Sequence, residues 1–96
     1  MALLSDDEIQ KHLATLSGWE ARENALVKTY GVGSFVNGVV LIGAIAQLAE
    51  AAGHHPDLEL FGYKNLTVKL STHDEGGVTM KDVDLARQIE GLPRRS

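Results

Sequence analysis

The stretch SFVNGVVLIGAIAQLAEAA, residues 34–52, decides the fold of this chain. Apolar side chains surround nearly the whole circumference of a helix with this sequence, and its polar interruptions are Asn37, Gln47 and Glu50. A helix that is apolar all round must be covered on more than one side, which a chain of 96 residues can hardly do alone. The stretch therefore predicts a long core helix whose remaining face is covered by self-association. A membrane span needs about twenty apolar residues, so this shorter run disfavours insertion into a membrane.

Shorter elements lie on both sides of this helix. Apolar periodicity, capping residues and turn residues predict six shorter elements. Before the long helix we expect a helix over 6–16, which Ser5 and Glu8 cap, and strands over 19–23 and 25–32. After it we expect strands over 58–63 and 66–73 and a last helix that Thr79 caps and that ends at Gly91. The order is α-β-β-α-β-β-α, so we expect an α+β fold in which a four-stranded antiparallel sheet carries three helices packed on one face. One domain should span residues 1–96.

Composition and charge exclude several classes of function. The chain has no cysteine, which excludes disulfides, thiolate catalysis and cysteine-based zinc sites. Its formal net charge of -4 argues against nucleic-acid binding, because contacts to phosphates need clustered Lys and Arg. The first residues, MALLSDDEIQ, lack the basic segment and the apolar run of a secretory signal, so we expect a cytoplasmic protein.

Three of the four histidines lie around the second pair of strands. His54 and His55 precede its first strand and His73 ends its second, whereas His12 lies on the first helix. In an antiparallel hairpin the residues that enter the first strand lie near those that leave the second. We therefore expect the imidazoles of His54, His55 and His73 to converge.

Backbone constraints hold the two adjacent histidines. Gly53 suits the left-handed conformation that ends a helix, and Pro56 drives His55 toward an extended conformation. A helix C-terminus favours a protonated imidazole, while one charged ring disfavours a second proton on its neighbour. The pair is therefore expected to supply one acid and one base near neutral pH, with Glu50 one helical turn before His54.

Two other interpretations compete with acid-base chemistry. A single histidine near a strand end, such as His73, is usually a surface or capping residue. Zinc is the second alternative, because Glu50 and three imidazoles could form an open site. Adjacent histidines followed directly by proline are not a usual zinc spacing, so we predict no metal.

A set of short motifs runs through the whole chain in a fixed order. The central motif is Glu50-x-x-x-His54-His55-Pro56-Asp57, and the strand from Asn65 leads into Ser71-Thr72-His73 and then Gly76-Gly77-Val78-Thr79. The flanking motifs are Gly18-Trp19, Leu26-x-Lys28 and Asp82-x-x-Leu85-Ala86. In this order the motifs resemble the pterin-4a-carbinolamine dehydratases.

The resemblance implies a hydro-lyase of tetrahydrobiopterin recycling. Its reaction is the dehydration of 4a-hydroxytetrahydropterin to quinonoid dihydropterin, without a metal or other cofactor. The catalytic residues that the resemblance implies are His54, His55 and His73. The residues that it implies for pterin binding are Glu50, Pro56, Thr72, Asp74, Glu75 and Trp19.

Several points stay open at this level. A buried core position is the alternative for Trp19, and Asp82 is expected to cap the last helix rather than to meet substrate. Relatives usually have phenylalanines where this chain has Tyr30-Gly31-Val32-Gly33, so the homodimer or homotetramer that the resemblance implies needs its own test. The alternative function is a non-catalytic or additional role as a binding or dimerisation protein, and a metal-dependent hydrolase is more distant. Retention of all three histidines favours the enzyme.

Overall fold

Residues 2–94 fold into three helices and one four-stranded antiparallel sheet. The computed structural model describes residues 2–94, so Met1, Arg95 and Ser96, the ends of the predicted 1–96 domain, lie outside the described residues. The elements are α1 (Asp6–Leu13), β1 (Glu20–Arg22), β2 (Ala25–Gly31), α2 (Phe35–Ala52), β3 (Asp57–Phe61), β4 (Asn65–Leu70) and α3 (Met80–Glu90), with a one-turn 3-10 helix at His73–Glu75. This order confirms the predicted α+β fold.

The two hairpins of the sheet meet along β2 and β4, since the strand order is β1-β2-β4-β3. Cross-strand pairs such as Leu26 with Leu70 and Tyr30 with Leu66 bring large apolar side chains onto one face of the sheet. These side chains are buried, and they form one core with apolar residues of all three helices. The helices therefore pack on one face of the sheet, as predicted.

Capping residues begin α1 as the sequence predicts. The Ser5 hydroxyl accepts from the Glu8 N–H at 3.2 Å, and the Glu8 carboxylate accepts from the Ser5 N–H at 2.9 Å. The predicted end of this helix at residue 16 is wrong, because α1 ends at Leu13. The hydroxyl and the N–H of Thr15 both donate to the His12 carbonyl, and these bonds close a tight turn in place of another helical turn.

One side of α2 packs against the sheet. The buried residues of this helix are Gly38, Leu41, Ile45 and Ala49. Gly38 allows a close approach, because a Cβ at this position would lie 2.7 Å from a methyl carbon of Leu60 on β3. The N-terminal part of α2 thereby packs closely against β3, the strand that follows this helix in the chain.

The other side of α2 exposes a row of large apolar side chains. Phe35, Val36, Val39 and Val40 are between 49% and 67% exposed. By length and composition alone the helix is apolar enough to cross a membrane, with a mean hydropathy of 1.6 over Phe35–Ala52, of which 22% is buried. A core helix meets the same criteria, and the packed side of α2 belongs to the core. The exposed side is the part of this helix that lacks a cover.

The Glu90 carboxylate connects the C-terminal end of α3 to the first hairpin through hydrogen bonds. Glu90 Oε2 accepts hydrogen bonds from the Trp19 indole N–H at 3.1 Å, from the Lys28 ammonium at 2.8 Å and from the Tyr30 hydroxyl. The Lys28 ammonium and the Arg94 guanidinium each lie 4.7 Å from the centre of the Tyr30 ring. Helix and sheet are therefore joined by polar contacts as well as by the apolar core.

The surroundings of Glu90 favour its ionised form. Partial burial alone would raise the pKa of this carboxyl, but the hydrogen bonds from Lys28, Tyr30 and Trp19 outweigh the burial and hold the pKa below its ordinary value. Burial, and then the hydrogen bond to Glu90, raise the pKa of the Tyr30 hydroxyl, which therefore stays protonated and donates.

Glu90→Gln is expected to lower the free energy of unfolding at neutral pH by about 2 kcal/mol, because charge-assisted hydrogen bonds become weaker neutral ones. A carboxyl with a lowered folded-state pKa stabilises the protein above its unfolded pKa of about 4.3, and this contribution disappears as the pH falls through the lowered value. The stability difference between wild type and variant should therefore shrink in acid. Urea denaturation from about pH 3 to neutral pH measures it.

Glu59→Gln is the matched control, because Glu59 is an exposed carboxylate of β3 that forms no ion pair with residues 2–94. We expect its effect on stability to be small. An equal loss in both variants, or a Glu90→Gln effect that grows as the pH falls, would contradict the prediction.

Candidate active site

Three histidines line one open cavity beside the C-terminal end of α2. The cavity has a volume of about 220 Å³, and its wall consists of Gly53, His54, His55, Ser71, Thr72, His73, Asp74 and Lys81. Three larger cavities elsewhere have no histidine in their walls. Sites for drug-sized ligands usually measure about 300–1,000 Å³, so this cavity suits a small ring system.

The pairing of β3 with β4 brings the three histidines together. Asp57, the first residue of β3, pairs with Lys69 near the end of β4. His54 and His55 therefore enter the hairpin at the end of the sheet where the chain leaves β4 toward His73. The convergence follows from strand register, despite the long separation in sequence.

Tight turns fix the two segments that carry the histidines. Gly53 ends α2 in the left-handed conformation, with a φ of 62°. The predicted extension of the last strand to His73 is wrong, because β4 ends at Leu70 and His73 begins the 3-10 helix. The Thr72 N–H donates to the Gly77 carbonyl at 2.8 Å, and the chain turns between these two residues.

Asp82 holds His54 in position. The carboxylate is fully buried, and its Oδ1 lies 2.6 Å from Nε2 of His54. Its Oδ2 accepts hydrogen bonds of 2.9 Å from the Thr72 hydroxyl and from the Thr79 N–H. A buried carboxylate is stable only when its oxygens are satisfied in this way. The network thus joins the end of α2, the segment after β4 and the start of α3.

This network selects one form of the His54 ring. An ionised carboxylate only accepts hydrogen bonds, so Nε2 carries the proton that is directed at Asp82. In the neutral ring, Nδ1 then has the free lone pair, and Nδ1 forms no hydrogen bond with residues 2–94. Nδ1 is therefore the atom of this ring with a free lone pair, and His54 is part of the cavity wall.

The other two histidines are more exposed. Nε2 of His55 lies 2.6 Å from the Glu50 carboxylate, and these side chains are 67% and 74% exposed. Solvent screens such a pair, so it orients the ring more than it stabilises the fold. His73 is exposed at the start of the 3-10 helix. Both rings are therefore open to solvent.

Two of the residues predicted to bind pterin line the cavity, and a third contacts one of its histidines. Thr72 and Asp74 are part of its wall, and the Thr72 hydroxyl is already bonded to Asp82. Glu50 lies outside the wall but contacts His55. Glu50 lies one helical turn before His54 in the sequence, but the ring that it contacts is that of His55, five residues on.

The other three predicted residues do not line the cavity. Pro56 and Glu75 follow wall residues in the chain without reaching the cavity themselves. Trp19 lies away from it, because this side chain is 5% exposed in the core and its indole N–H donates to Glu90. His12 lies on α1, apart from the other histidines, as expected.

Three contributions to the site were not predicted from the sequence. Asp82 caps α3 as expected, but its contact with His54 depends on how α2 and α3 pack, for which the sequence has no local signal. Ser71 and Lys81 are further wall residues. The sequence did contain a signal for Lys81. A cation in the first turn of a helix is unfavourable for the fold, so its presence there indicates a role other than folding.

A metal site is not formed by these side chains. Within residues 2–94, no group of three or more histidine, aspartate or glutamate side chains has the geometry to hold a metal ion. His54 and His55 each direct one ring nitrogen to a carboxylate instead.

Comparison with known proteins identifies the family. A family model described as pterin 4 alpha carbinolamine dehydratase matches residues 2–92. A relative from Roseiflexus castenholzii is 47% identical over 91 residues, which cover 95% of this chain and 97% of the relative. A relative from Aquifex aeolicus is 40% identical over 89 residues, which cover 93% of this chain and 89% of the relative. The curated name of both, pterin-4-alpha-carbinolamine dehydratase, is marked as unproven.

Solved structures share the fold. A protein from Brucella melitensis described as a transcriptional coactivator/pterin dehydratase matches with a TM-score of 0.85 and 29% identity, over 91% of this chain and 94% of that one. A pterin dehydratase-like protein described as a RuBisCO assembly factor in the alpha-carboxysome has a TM-score of 0.63 at 22% identity, over 81% of this chain and 89% of that one, and shows the fold alone. The family model spans nearly the whole chain, and the 47% identity agrees with it, so this protein belongs to the pterin-4a-carbinolamine dehydratase family.

Proposed function

We propose that this chain catalyses the dehydration of a 4a-hydroxytetrahydropterin to quinonoid dihydropterin by histidine acid-base catalysis. The observation that carries the proposal is the single cavity shared by His54, His55 and His73 in a chain of this family. Thr72 and Asp74, also in the wall, are the predicted pterin-binding residues best placed to contact the substrate.

The reaction needs one proton delivered and one proton removed. A proton reaches the 4a-hydroxyl, the C4a–O bond breaks and water leaves, while a ring nitrogen loses its proton to give the quinonoid product. Histidine is the side chain whose ordinary titration lies near neutral pH, so it can serve in both steps. Positioned acid-base groups contribute about 10²- to 10⁴-fold to a rate, which is enough to speed a reaction that also proceeds slowly unaided.

The surroundings of the histidines support different roles. His54 is the base in this proposal, because the bond to Asp82 leaves the Nδ1 lone pair free. His73 is the acid for the departing hydroxyl, since its exposed ring can be reprotonated from solvent. His55, which Glu50 orients, assists from the same wall.

A direct assay tests this function. Dehydration of 4a-hydroxytetrahydropterin is followed with the purified protein, with and without a chelator. We expect a rate above the spontaneous background that persists with the chelator. A rate equal to the background would reject the proposal and favour a binding or dimerisation protein on the same fold, and loss of the rate on chelation would favour a metal.

His54→Ala and His73→Ala are each expected to lower kcat by about 10²- to 10⁴-fold, because each variant removes one proton-transfer group. The same dehydration assay measures the loss. His12→Ala is the matched control, since His12 lies outside the cavity and its Nδ1 contacts Arg87 at 3.1 Å. Full activity of the His54 and His73 variants, or an equal loss in the control, would count against these roles.

Asp82→Asn is expected to lower kcat about tenfold or more while the protein stays folded. The amide group keeps the shape of the carboxylate but can donate a hydrogen bond, so it no longer holds His54 in the form protonated at Nε2. Nitrogen-15 NMR of the His54 ring should show the change of tautomer, and the pH dependence of kcat should shift.

Asp84→Asn is the control for this variant, because Asp84 is exposed on the same helix and lies outside the cavity. It should leave kcat and the His54 ring signal unchanged. An unchanged ring signal in Asp82→Asn would show that Asp82 serves only as a helix cap.

We also propose that two or more copies of the chain assemble through the exposed side of α2. Phe35, Val36, Val39 and Val40 form this surface, and apolar rows of this kind mark interaction sites. Gly43 and Ala46 lie on the same side and are small enough for a second helix to approach.

Val36→Glu together with Val40→Glu is expected to convert the assembly into monomers, because charges would then be buried in an apolar contact. Sedimentation equilibrium at micromolar concentration measures the mass of the wild type and of the variant. Leu3→Glu is the control, since Leu3 is 51% exposed and lies outside α2. A monomeric wild type would refute assembly through α2.

A further inference from the structure

One cation lies in the wall of the histidine cavity. Lys81, the second residue of α3, lines the cavity together with the three histidines and Asp74. Its side chain is exposed, and its ammonium forms no ion pair with a carboxylate of residues 2–94, unlike those of Lys28 and Lys69. This positive charge is therefore available to a molecule in the cavity.

The fold gives no reason for a cation at this position. The first turn of a helix presents unpaired N–H groups and the positive end of the helix dipole, so a carboxylate there is favourable and an ammonium is not. Asp82, one residue later, is the favourable case, since it caps α3. The Lys81 backbone N–H donates to the Thr79 hydroxyl at 3.2 Å, but this bond does not require a lysine side chain.

The other side-chain hydrogen-bond donors of the cavity wall are engaged or change their protonation state. The Thr72 hydroxyl donates to Asp82, and the Ser71 hydroxyl donates to the Asn24 carbonyl at 3.0 Å. The imidazoles gain and lose protons in the proposed reaction. An ammonium group is a donor only, so Lys81 can hold one acceptor atom throughout the reaction.

We propose that the Lys81 ammonium donates a hydrogen bond to the carbonyl oxygen at C4 of the pterin and so selects 4-oxo pterins over 4-amino analogues. This inference rests on the proposed function, because it requires that the histidine cavity binds the pterin ring. The C4 carbonyl is bonded to C4a, the reacting carbon, so a donor in the histidine cavity is close enough to hold it. A 4-amino group is itself a donor, and two donors that face each other leave both unpaired.

Two probe molecules test this preference. Pterin (2-amino-4-oxopteridine) and 2,4-diaminopteridine are titrated into the purified protein, and their fluorescence gives the dissociation constants. We expect the wild type to bind pterin about tenfold or more tightly, which is the usual effect of one hydrogen bond to a charged group. Lys81→Met is expected to lose the preference, and Lys81→Arg, which keeps the charge and the donors, is expected to retain most of it.

Stability and kinetics separate binding from folding. The Tm of Lys81→Met should equal or exceed that of the wild type, because a cation has left the start of a helix. With 4a-hydroxytetrahydropterin as substrate, this variant should raise KM about tenfold and change kcat little. Lys11→Met is the matched control, since Lys11 is exposed on α1 outside the cavity, and it should change neither the preference nor KM.

The outcomes distinguish this inference from the proposed function. A wild type without the preference, a Lys81→Met variant that keeps it, or an equal loss in Lys11→Met would overturn the role of Lys81. A protein that prefers pterin through Lys81 but does not accelerate dehydration would support this role and reject the proposed catalysis.

Discussion

The buried carboxylate of Asp82 is the interaction on which the candidate site depends. A carboxylate withdrawn from water must have its oxygens satisfied, and removal of one partner leaves a costly unpaired charge. Here the partners come from three parts of the chain, namely His54 after α2, Thr72 after β4 and Thr79 before α3. The hairpin, the long helix and the last helix must all be in place before this charge is stable. The histidine cavity therefore forms only when these three parts of the chain have folded together.

Glu90 is another carboxylate of α3 that accepts hydrogen bonds from other elements, and it lies at the opposite end of the helix from Asp82. Asp82 lies at the N-terminal end of α3, where the helix dipole favours negative charge, whereas Glu90 lies at the C-terminal end, where the dipole disfavours it. Glu90 is stabilised instead by donors from the first hairpin, including Lys28 and Tyr30. Both ends of α3 are thus held by polar contacts to other elements. A helix that is fixed at both ends can hold the Asp82 carboxylate in one place relative to the His54 ring.

The order of elements could be predicted from the sequence because its signals are local. Capping residues and apolar periodicity mark where helices begin, but the ends of elements depend on hydrogen bonds that sequence patterns do not show, as at Thr15 and Thr72. The meeting of the histidines could be inferred from antiparallel pairing alone. The contact between Asp82 and His54 could not, since it depends on the packing of two helices. Trp19, which the resemblance implied for the site, takes the alternative position in the core. Its bond to Glu90 could not be predicted, because the two residues are distant in sequence.

The long helix keeps the surface of the proposed assembly apart from the histidines. Its exposed apolar residues lie in the first two turns, between Phe35 and Val40, and the histidines follow its C-terminal end. From Val40 to His54 is fourteen residues, or about 21 Å of helix. A change in the apolar surface can therefore alter the proposed assembly without contacting the rings that carry the proposed chemistry. A substitution in this surface leaves in place the carboxylates of Glu50 and Asp82 beside His55 and His54, because these contacts lie at and beyond the other end of the helix.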